Sequence, residues 1–370
     1  MDARENELLT RVGPGTRMGA LLRRYWWPVW FTEELADRPA PVRLLGEDLV
    51  LFRAAGGKLG LLERYCAHRR ASLEFGRVEA EGIRCCYHGW KYAANGQCVD
   101  MPLEPEGTSL TQDVRLKAYD ATEAGGIVFA YLGPKPAPVF PRWDLLFAET
   151  GLSVIGAGQE HCNWLQRAEN TVDQHHLSAL HAPVYPQTAL KRHHVDWDPA
   201  WYGLRIAVHH EGRKPKIDHF LFPSSNRFAR ARVGDTPSHD LRMRVPTDDT
   251  TTTTFWVNTY PSITDQGRLR TKGWEQPTER GVYERVADGW WNLPSHEQDR
   301  AAQESQGLIA DRSLETLGTT DRGIVLFRKM LLEAMAEVEA GRDPVAVLRQ
   351  DRGIISFDAS MHELKTLASA

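Results

Sequence analysis

The sequence predicts an α+β chain in two parts, an N-terminal all-β domain followed by a domain of antiparallel sheet and helices. Three observations carry this. At 370 residues and 41.8 kDa the chain exceeds what one hydrophobic core usually organises. Short strand-like runs with Gly-rich turns fill residues 42–132, whereas helical and strand-like textures mix beyond residue 140. Between them, Gly133-Pro134-Lys135-Pro136-Ala137-Pro138 suits neither a helix interior nor a central strand. That run sets the expected domains at 1–140, with a core of about 40–133, and 141–370.

Taken in order, Thr10 to Trp27 places Met18, Leu21, Leu22 and Tyr25 at helical spacing and reads as a helical lead-in to the first domain. Val42 to Leu45, Leu49 to Arg53 and Leu59 to Glu63 are short runs separated by turn residues, as in a small antiparallel unit. Ile83 to Cys86 and Gly126 to Leu132 continue it. Beyond the boundary, Asn163 to His181 predicts helix. Val195 to Tyr283 alternates apolar and polar residues and includes the β-branched tract Thr250 to Val257, which predicts antiparallel sheet. A last helix starts at the cap Thr320-Asp321 and carries Ile324, Phe327, Leu331 and Met335 on one face before Gly341.

Composition narrows the function classes. A formal charge of −4 and a pI near 6.4 offer no basic stripe for a phosphate backbone, so a nucleic-acid partner is not expected. The longest apolar runs, such as Gly125 to Leu132, are far short of the ~20 residues that span a bilayer. The polar N-terminus, Met1 to Glu7, lacks a basic n-region and an apolar h-region, and a cytoplasmic protein is expected. Of five cysteines, Cys66, Cys85 and Cys86 lie beside histidines, a pattern that favours metal over disulfides.

Two constellations carry chemistry. Cys66-Ala67-His68 and Cys85-Cys86-Tyr87-His88 form C-x-H and C-x2-H. Such a set suits either one tetrahedral zinc or a [2Fe-2S] cluster in which two histidines replace two cysteines on one iron. Zinc sites usually pair Cys with Cys and His with His; one ligand of each kind per loop favours the dinuclear cluster. The spacing selects Cys85 over Cys86, and Cys86, Cys98 and Cys162 read as small buried hydrophobes. The second constellation runs from Asn170 to His181 as N-x2-D-x2-H-x4-H. Two imidazoles and a carboxylate on one face of an iron leave positions open for O2 and substrate. Asp173 and His176 share a helix face. His181 lies about 140° round from His176, so the helix must end or unwind near Ser178 to His181, which Pro183 encourages. His175 reads as a packing neighbour. The third ligand should be a carboxylate between Glu297 and Asp311.

The segments Arg64-Tyr65-Cys66-Ala67-His68-Arg69 and Cys85-Cys86-Tyr87-His88-Gly89-Trp90 resemble the two loops of Rieske proteins. The whole chain, from Leu9 to Gly15 through Asp311 to Gly318, is similar to the large (alpha) subunits of Rieske non-haem iron ring-hydroxylating oxygenases, most of all the phthalate dioxygenase-like and aromatic O-demethylase branch. The resemblance implies a Rieske domain, with Cys66, His68, Cys85 and His88 on the [2Fe-2S] cluster, followed by a helix-grip (START-like) catalytic domain with mononuclear Fe(II). The ligands of that iron would be His176, His181 and, from the D-x4-E helix of Gln298 to Gln306, Asp299, with Glu297 and Glu304 as fallbacks. Asn170 would sit beside this iron. Asp173 would bridge to a cluster histidine, His68 or His88, across the interface of a head-to-tail homotrimer. In the first loop, Arg69-Arg70-Ala71 departs from the family, whose second position is usually glycine.

The implied activity is hydroxylation or O-demethylation of a small aromatic acid or aryl ether, using O2 and electrons from a separate NAD(P)H-dependent reductase, with or without a ferredoxin. No G-x-G-x-x-G is present; Gly13-x-Gly15-x3-Gly19 has the wrong spacing, so the nicotinamide site belongs to another protein. The alternatives are cis-dihydroxylation and, in another class, a non-catalytic Rieske electron carrier. Arg242 and Arg244, on a strand-like segment, read as a carboxylate clamp or a solvated strand face. His193-His194 and His209-His210 read as surface or packing residues.

Overall fold

Two short helices, not one, open the chain. α1 (Ala3–Thr10) is capped by the Asp2 carboxylate, which accepts the Glu5 amide at 2.8 Å, and α2 spans Arg17–Leu22. Gly13-Pro14-Gly15 separates them, with Gly15 at a φ of +83° that ordinary residues avoid. By Trp26 the aromatic and β-branched run Trp26–Phe31 has become β1, so the helix expected over 10–27 is confined to its middle. This computed structural model describes residues 1–182, 189–212, 214–230, 236–264, 267–270 and 293–357. They form two compact units, one of Arg23–Pro138 and one of Met1–Leu22 with Val139–Ala370.

The smaller unit is all-β apart from one turn of α-helix, α3 (Leu110–Asp113), and 3-10 turns at Thr32–Glu34 and Leu73–Phe75. Its strands are β1, β2 (Ala40–Leu44), β3 (Glu47–Arg53), β4 (Leu59–Glu63), β5 (Arg77–Glu79), β6 (Gly82–Arg84), β7 (Lys91–Ala93), β8 (Cys98–Asp100), β9 (Ala118–Ala124) and β10 (Ile127–Tyr131). The six-stranded sheet β1-β10-β9-β4-β3-β2 and the four-stranded sheet β5-β6-β7-β8 are antiparallel throughout. Alternation sets the faces: Ala40, Val42 and Leu44 of β2 are buried, Pro41 and Arg43 exposed. Phe52, Leu62, Ile83, Trp90 and Tyr92 form a core that also holds Cys66 and Cys85.

The helical lead-in, expected with this domain, belongs instead to the larger unit. The Asn163 amide donates to the Thr10 carbonyl at 2.9 Å, the Asn6 amide to the Ala310 carbonyl at 2.9 Å, and Asp249 accepts the Val12 N–H at 2.8 Å. In that unit β11 (Leu152–Glu160) leads to α4 (Trp164–Val172) and the short α5 (His176–Ala179). The strands β12 (His194–Ala200), β13 (Gly203–His209), β14 (Lys216–Leu221), β15 (Ser225–Arg230), β16 (Ser238–Pro246), β17 (Thr252–Tyr260) and β18 (Gly267–Arg270) follow, then α6 (Ser295–Ser305) and α7 (Arg322–Glu339). Among the described residues the sheet runs β12-β13-β14-β15-β16-β17-β11-β18, parallel only at β11 and β18. The expected sheet thus begins where predicted; its stretch from 271 to Tyr283 lies outside the described residues.

On α7, Phe327, Leu331 and Met335 are buried as the periodicity required. Gly323 makes the close approach of α7 to α4 possible: a Cβ there would lie 2.6 Å from the Val172 carbonyl and 2.4 Å from the Trp197 indole nitrogen. Arg312 and Arg328 both grip Glu169 on α4, at 2.7 and 2.6 Å, and anchor the helix that leads into the second constellation.

Candidate metal centres

The first constellation occupies two loops of the smaller unit. In one, the Cys66 N–H donates to the Ala71 carbonyl at 2.9 Å and the Arg70 N–H to the Cys66 carbonyl at 3.0 Å. Arg70 takes a φ of +59°, the left-handed conformation for which glycine is the usual residue. In the other, between β6 and β7, the Cys85 N–H donates to the Trp90 carbonyl at 2.8 Å and Gly89 turns the chain with a φ of +77°. Cys66 and Cys85 are buried. The rings of His68 and His88 lie 4.4 Å apart at 70°, and His68 stacks on Trp90 at 4.6 Å.

The donor set fits a dinuclear cluster. Nδ1 of His68 is buried without a hydrogen-bond partner, which suits an imidazole nitrogen aimed at a ligand. A single tetrahedral zinc, with bonds of about 2.0–2.3 Å, would draw all four ligand atoms together. Among the described residues, the sets whose ligand atoms all lie within 4.8 Å of one another do not include these four. The Tyr92 hydroxyl lies 3.1 Å from Cys66 Sγ, placed to donate to a thiolate. Burial pushes the Cys66 thiol up and this hydrogen bond opposes it, with burial prevailing. Cys98 and Cys162 are buried as expected, burial pushing Cys162 up to about 12. Cys86 is exposed, contrary to expectation, because the turn that buries Cys85 points its neighbour outward.

The second constellation sits where a helix breaks. α4 carries Asn170 and stops at Val172; Asp173 is extended (φ −83°, ψ 112°), and α5 restarts at His176. The expected end near Ser178 to His181 is present, since α5 stops at Ala179, but an earlier break precedes it. Its cause is the Asp173 carboxylate, which accepts the amides of His175 at 2.8 Å and His176 at 3.3 Å, partners that a continuing helix would have given to carbonyls. Asp299 arrives from α6. Its Oδ1 lies 3.5 Å from Nε2 of His176 and 3.1 Å from Nε2 of His181, and the two rings stand 5.4 Å apart at 74°. Such separations suit ligand atoms around one ion with bonds near 2.1 Å. Two imidazoles and a carboxylate with space beside them fit a non-haem iron.

Surrounding groups orient the three. Gln298 Oε1 accepts from His181 Nδ1 at 2.7 Å, which makes Nε2, 3.1 Å from Asp299 Oδ1, the nitrogen that gives up its proton to take a metal. Asn170 donates to Asp299 Oδ1 at 3.2 Å, and Asp173 Oδ2 lies 3.6 Å from His176 Nδ1. Burial alone would raise the Asp299 carboxyl, but its hydrogen bond to His181 and the charge of His176, His181 and Arg167 hold it down at about 2. The fallback carboxylates are engaged elsewhere: Glu304 accepts the His161 amide at 2.8 Å and pairs with Arg300 at 3.1 Å, and Glu297 lies 3.7 Å from Arg300. His175 stacks on His193 at 5.7 Å.

Beside the triad lies a cavity of about 180 Å³, lined by Glu160, Arg167, Asn226, Arg242, Arg244 and Trp256 among others. Arg167 pairs with Glu160 at 3.1 Å, Arg230 with Asp240 at 3.4 Å and Lys216 with Asp218 at 2.7 Å. Arg242 lies over the Trp256 ring at 5.5 Å. Arg244 differs. It is buried and donates to the Asn226 amide oxygen at 2.7 Å, its Nε, like that of Arg167, has no partner, and unlike Arg167 it has no carboxylate within 4 Å among the described residues. Burial and the nearby Arg167 push its guanidinium down to about 9. Both strand arginines therefore line the cavity. Gln298, Glu160 and Arg167 went unnoticed in the sequence; only Gln298 left a trace, its place next to Asp299.

Residues 25–120 match the Rieske [2Fe-2S] domain family, and residues 288–363 match a family described as LigXa C-terminal domain like. The 5,5'-dehydrodivanillate O-demethylase oxygenase subunit of Sphingobium sp. (strain NBRC 103272 / SYK-6) is 36% identical over 94% of this chain and 84% of its own. The phenoxybenzoate dioxygenase subunit alpha of Ectopseudomonas oleovorans is 34% identical, over 92% and 87%. Among solved structures, Pseudomonas putida CBB5 NdmA with caffeine superposes with a TM-score of 0.71 at 20% identity, covering 91% of this chain and all of that one, a likeness of fold.

Proposed function

The chain belongs to the Rieske non-haem iron aromatic oxygenases, as an alpha subunit, and from that premise we propose a substrate class and a role for each site residue. It is the oxygenase component of a multicomponent enzyme that uses O2 and electrons from a separate reductase. When bound, the [2Fe-2S] cluster would supply single electrons and the mononuclear iron the activation of O2. Cys66, His68, Cys85 and His88 hold the cluster; His176, His181 and Asp299 hold the iron. Asn170 and Gln298 fix the orientation of those ligands. Asp173, tied to His176 on one side and still partly exposed on the other, reaches His68 or His88 of the partner subunit in a head-to-tail homotrimer. A solution mass three times 41.8 kDa is the corresponding test of assembly. The cluster domain is residues 23–138, and the iron domain is residues 1–22 together with 139–370. No helix among the described residues is long and apolar enough to cross a membrane, and a cytoplasmic location accords with this.

The substrate is an aromatic carboxylate, hydroxylated or, where it bears a methoxy group, O-demethylated with release of formaldehyde. Arg244 carries this reading. A buried guanidinium in a cavity lining that bonds a neutral amide and, unlike Arg167, has no carboxylate beside it is a cation awaiting an anion, and a benzoate-type carboxylate supplies one in charge-assisted geometry. Two of the curated relatives point the same way, dehydrodivanillate and phenoxybenzoate both being aromatic acids. In Arg244→Met the KM for a methoxybenzoate is expected to rise about 10–100-fold, with iron and sulfide per chain unchanged. Equal KM values in both proteins, or an equal preference of the unaltered enzyme for the methyl ester, would refute the carboxylate reading.

A further inference from the structure

The eight-stranded sheet carries a second group of metal-ligating side chains, away from the triad in residue and element. His194 and His209 face each other directly across β12 and β13, and Asp196, two residues along β12, projects on the same face. Its two oxygens lie 2.8 Å from Nε2 of His194 and 2.8 Å from Nε2 of His209, with the imidazole centroids 5.3 Å apart. One ligand atom from each comes within 4.8 Å of the other two, as in the triad of His176, His181 and Asp299. The sequence read these histidines as surface or packing residues; the strand register makes them converge.

We propose that His194, Asp196 and His209 form an accessory site for a divalent first-row transition ion, zinc, nickel or copper, held by two imidazoles and a carboxylate, with water completing the shell. Two imidazoles disfavour magnesium and calcium, which take oxygen ligands. All three side chains stand on paired strands, so the site is set by the sheet register and needs no loop to close. β12 is the outermost strand among the described residues, and a shared ion would clamp it to β13. Without an ion, each imidazole gives its Nε2–H to the carboxylate; with one, both give lone pairs to the metal.

The test uses the full chain loaded with cluster and catalytic iron, dialysed anaerobically against Zn²⁺ near neutral pH. One zinc per chain beyond the iron is expected, with iron and acid-labile sulfide unchanged and the thermal midpoint of the protein raised. Asp196→Ala and His209→Ala are each expected to weaken zinc uptake at least about tenfold while keeping iron, sulfide and turnover. Equal uptake in the variants, no uptake below about 100 µM, or zinc gained at the expense of iron would each overturn the proposal.

Discussion

Two single residues set the finest adjustments at the metal centres. Gln298 is buried and its Oε1 holds the His181 imidazole by Nδ1, so the tautomer that can offer Nε2 depends on an amide oxygen from the neighbour of Asp299. Gln298→Leu preserves bulk and deletes that acceptor. Iron affinity is expected to fall about 10–100-fold, read as iron per chain after dialysis against a chelator, while the visible spectrum of the cluster stays the same. Gln298→Glu, which keeps an acceptor, should retain iron, and undiminished iron in the leucine variant would remove Gln298 from this role. In the smaller unit, Arg70 stands at a φ of +59° where the family favours glycine. A side chain there costs roughly 1–2 kcal/mol, offset in part by the contact of its guanidinium with the Tyr65 ring at 5.1 Å. Arg70→Gly is expected to stabilise the cluster domain by about 1 kcal/mol in urea unfolding, and a loss of stability would mean that the ring contact outweighs the strain.

At the scale of elements, two interruptions, one between α4 and α5 and one after Ala179, make one centre from residues 170 to 181. A continuous helix would aim His176 and His181 in different directions; α5 stops at Ala179, which frees His181 from the helix of His176, while the Asp173 carboxylate, accepting the amides of His175 and His176, ends α4 before them. Asp173→Asn keeps one acceptor oxygen for those amides and removes the charge. It is expected to keep the cluster and both kinds of iron yet lose about 100-fold or more in turnover; normal turnover would end the bridging assignment. Short apolar runs set off by turn residues made the β2 to β4 meander legible, and the 3.6-residue apolar stripe made α7 legible. The earlier break at Asp173 was not, because a side-chain cap competes locally with helix propensity and leaves no periodic signal. Nor was the start of β1, where Met18, Leu21, Leu22 and Tyr25 keep helical spacing although Gly13-Pro14-Gly15 and the aromatic run from Trp26 limit the helix to one and a half turns. The ligands were readable from short spacings within each loop. The partners of Gln298, and the missing partner of Arg244, arise only when strands and helices far apart in sequence meet.

At the scale of the whole molecule, pH acts on the larger unit through buried histidines. His219 and His239 are both pushed down to about 4 by burial and by the nearby Arg227. Unfolded, each would take up a proton near pH 6.5; folded, neither does until about pH 4. Their stabilisation is therefore complete above pH 6.5 and lost as pH falls towards 4. The urea midpoint followed by tryptophan fluorescence should decline through that window, and His239→Gln should flatten the decline; an unchanged slope would place the acid sensitivity elsewhere. The two compact units also have a topological consequence. Residues 23–138 are a guest within a host whose chain is split on either side of them. The entry and exit of the guest are neighbours, since β1 pairs with β10 and Gly133 packs against the Arg23 carbonyl. Trimming or tagging the first twenty residues therefore disturbs the iron-bearing host, whereas the guest that follows them in sequence is spared. An isolated catalytic half begun at residue 139 would lack α1, α2 and the Thr10 carbonyl that anchors Asn163 at the start of α4.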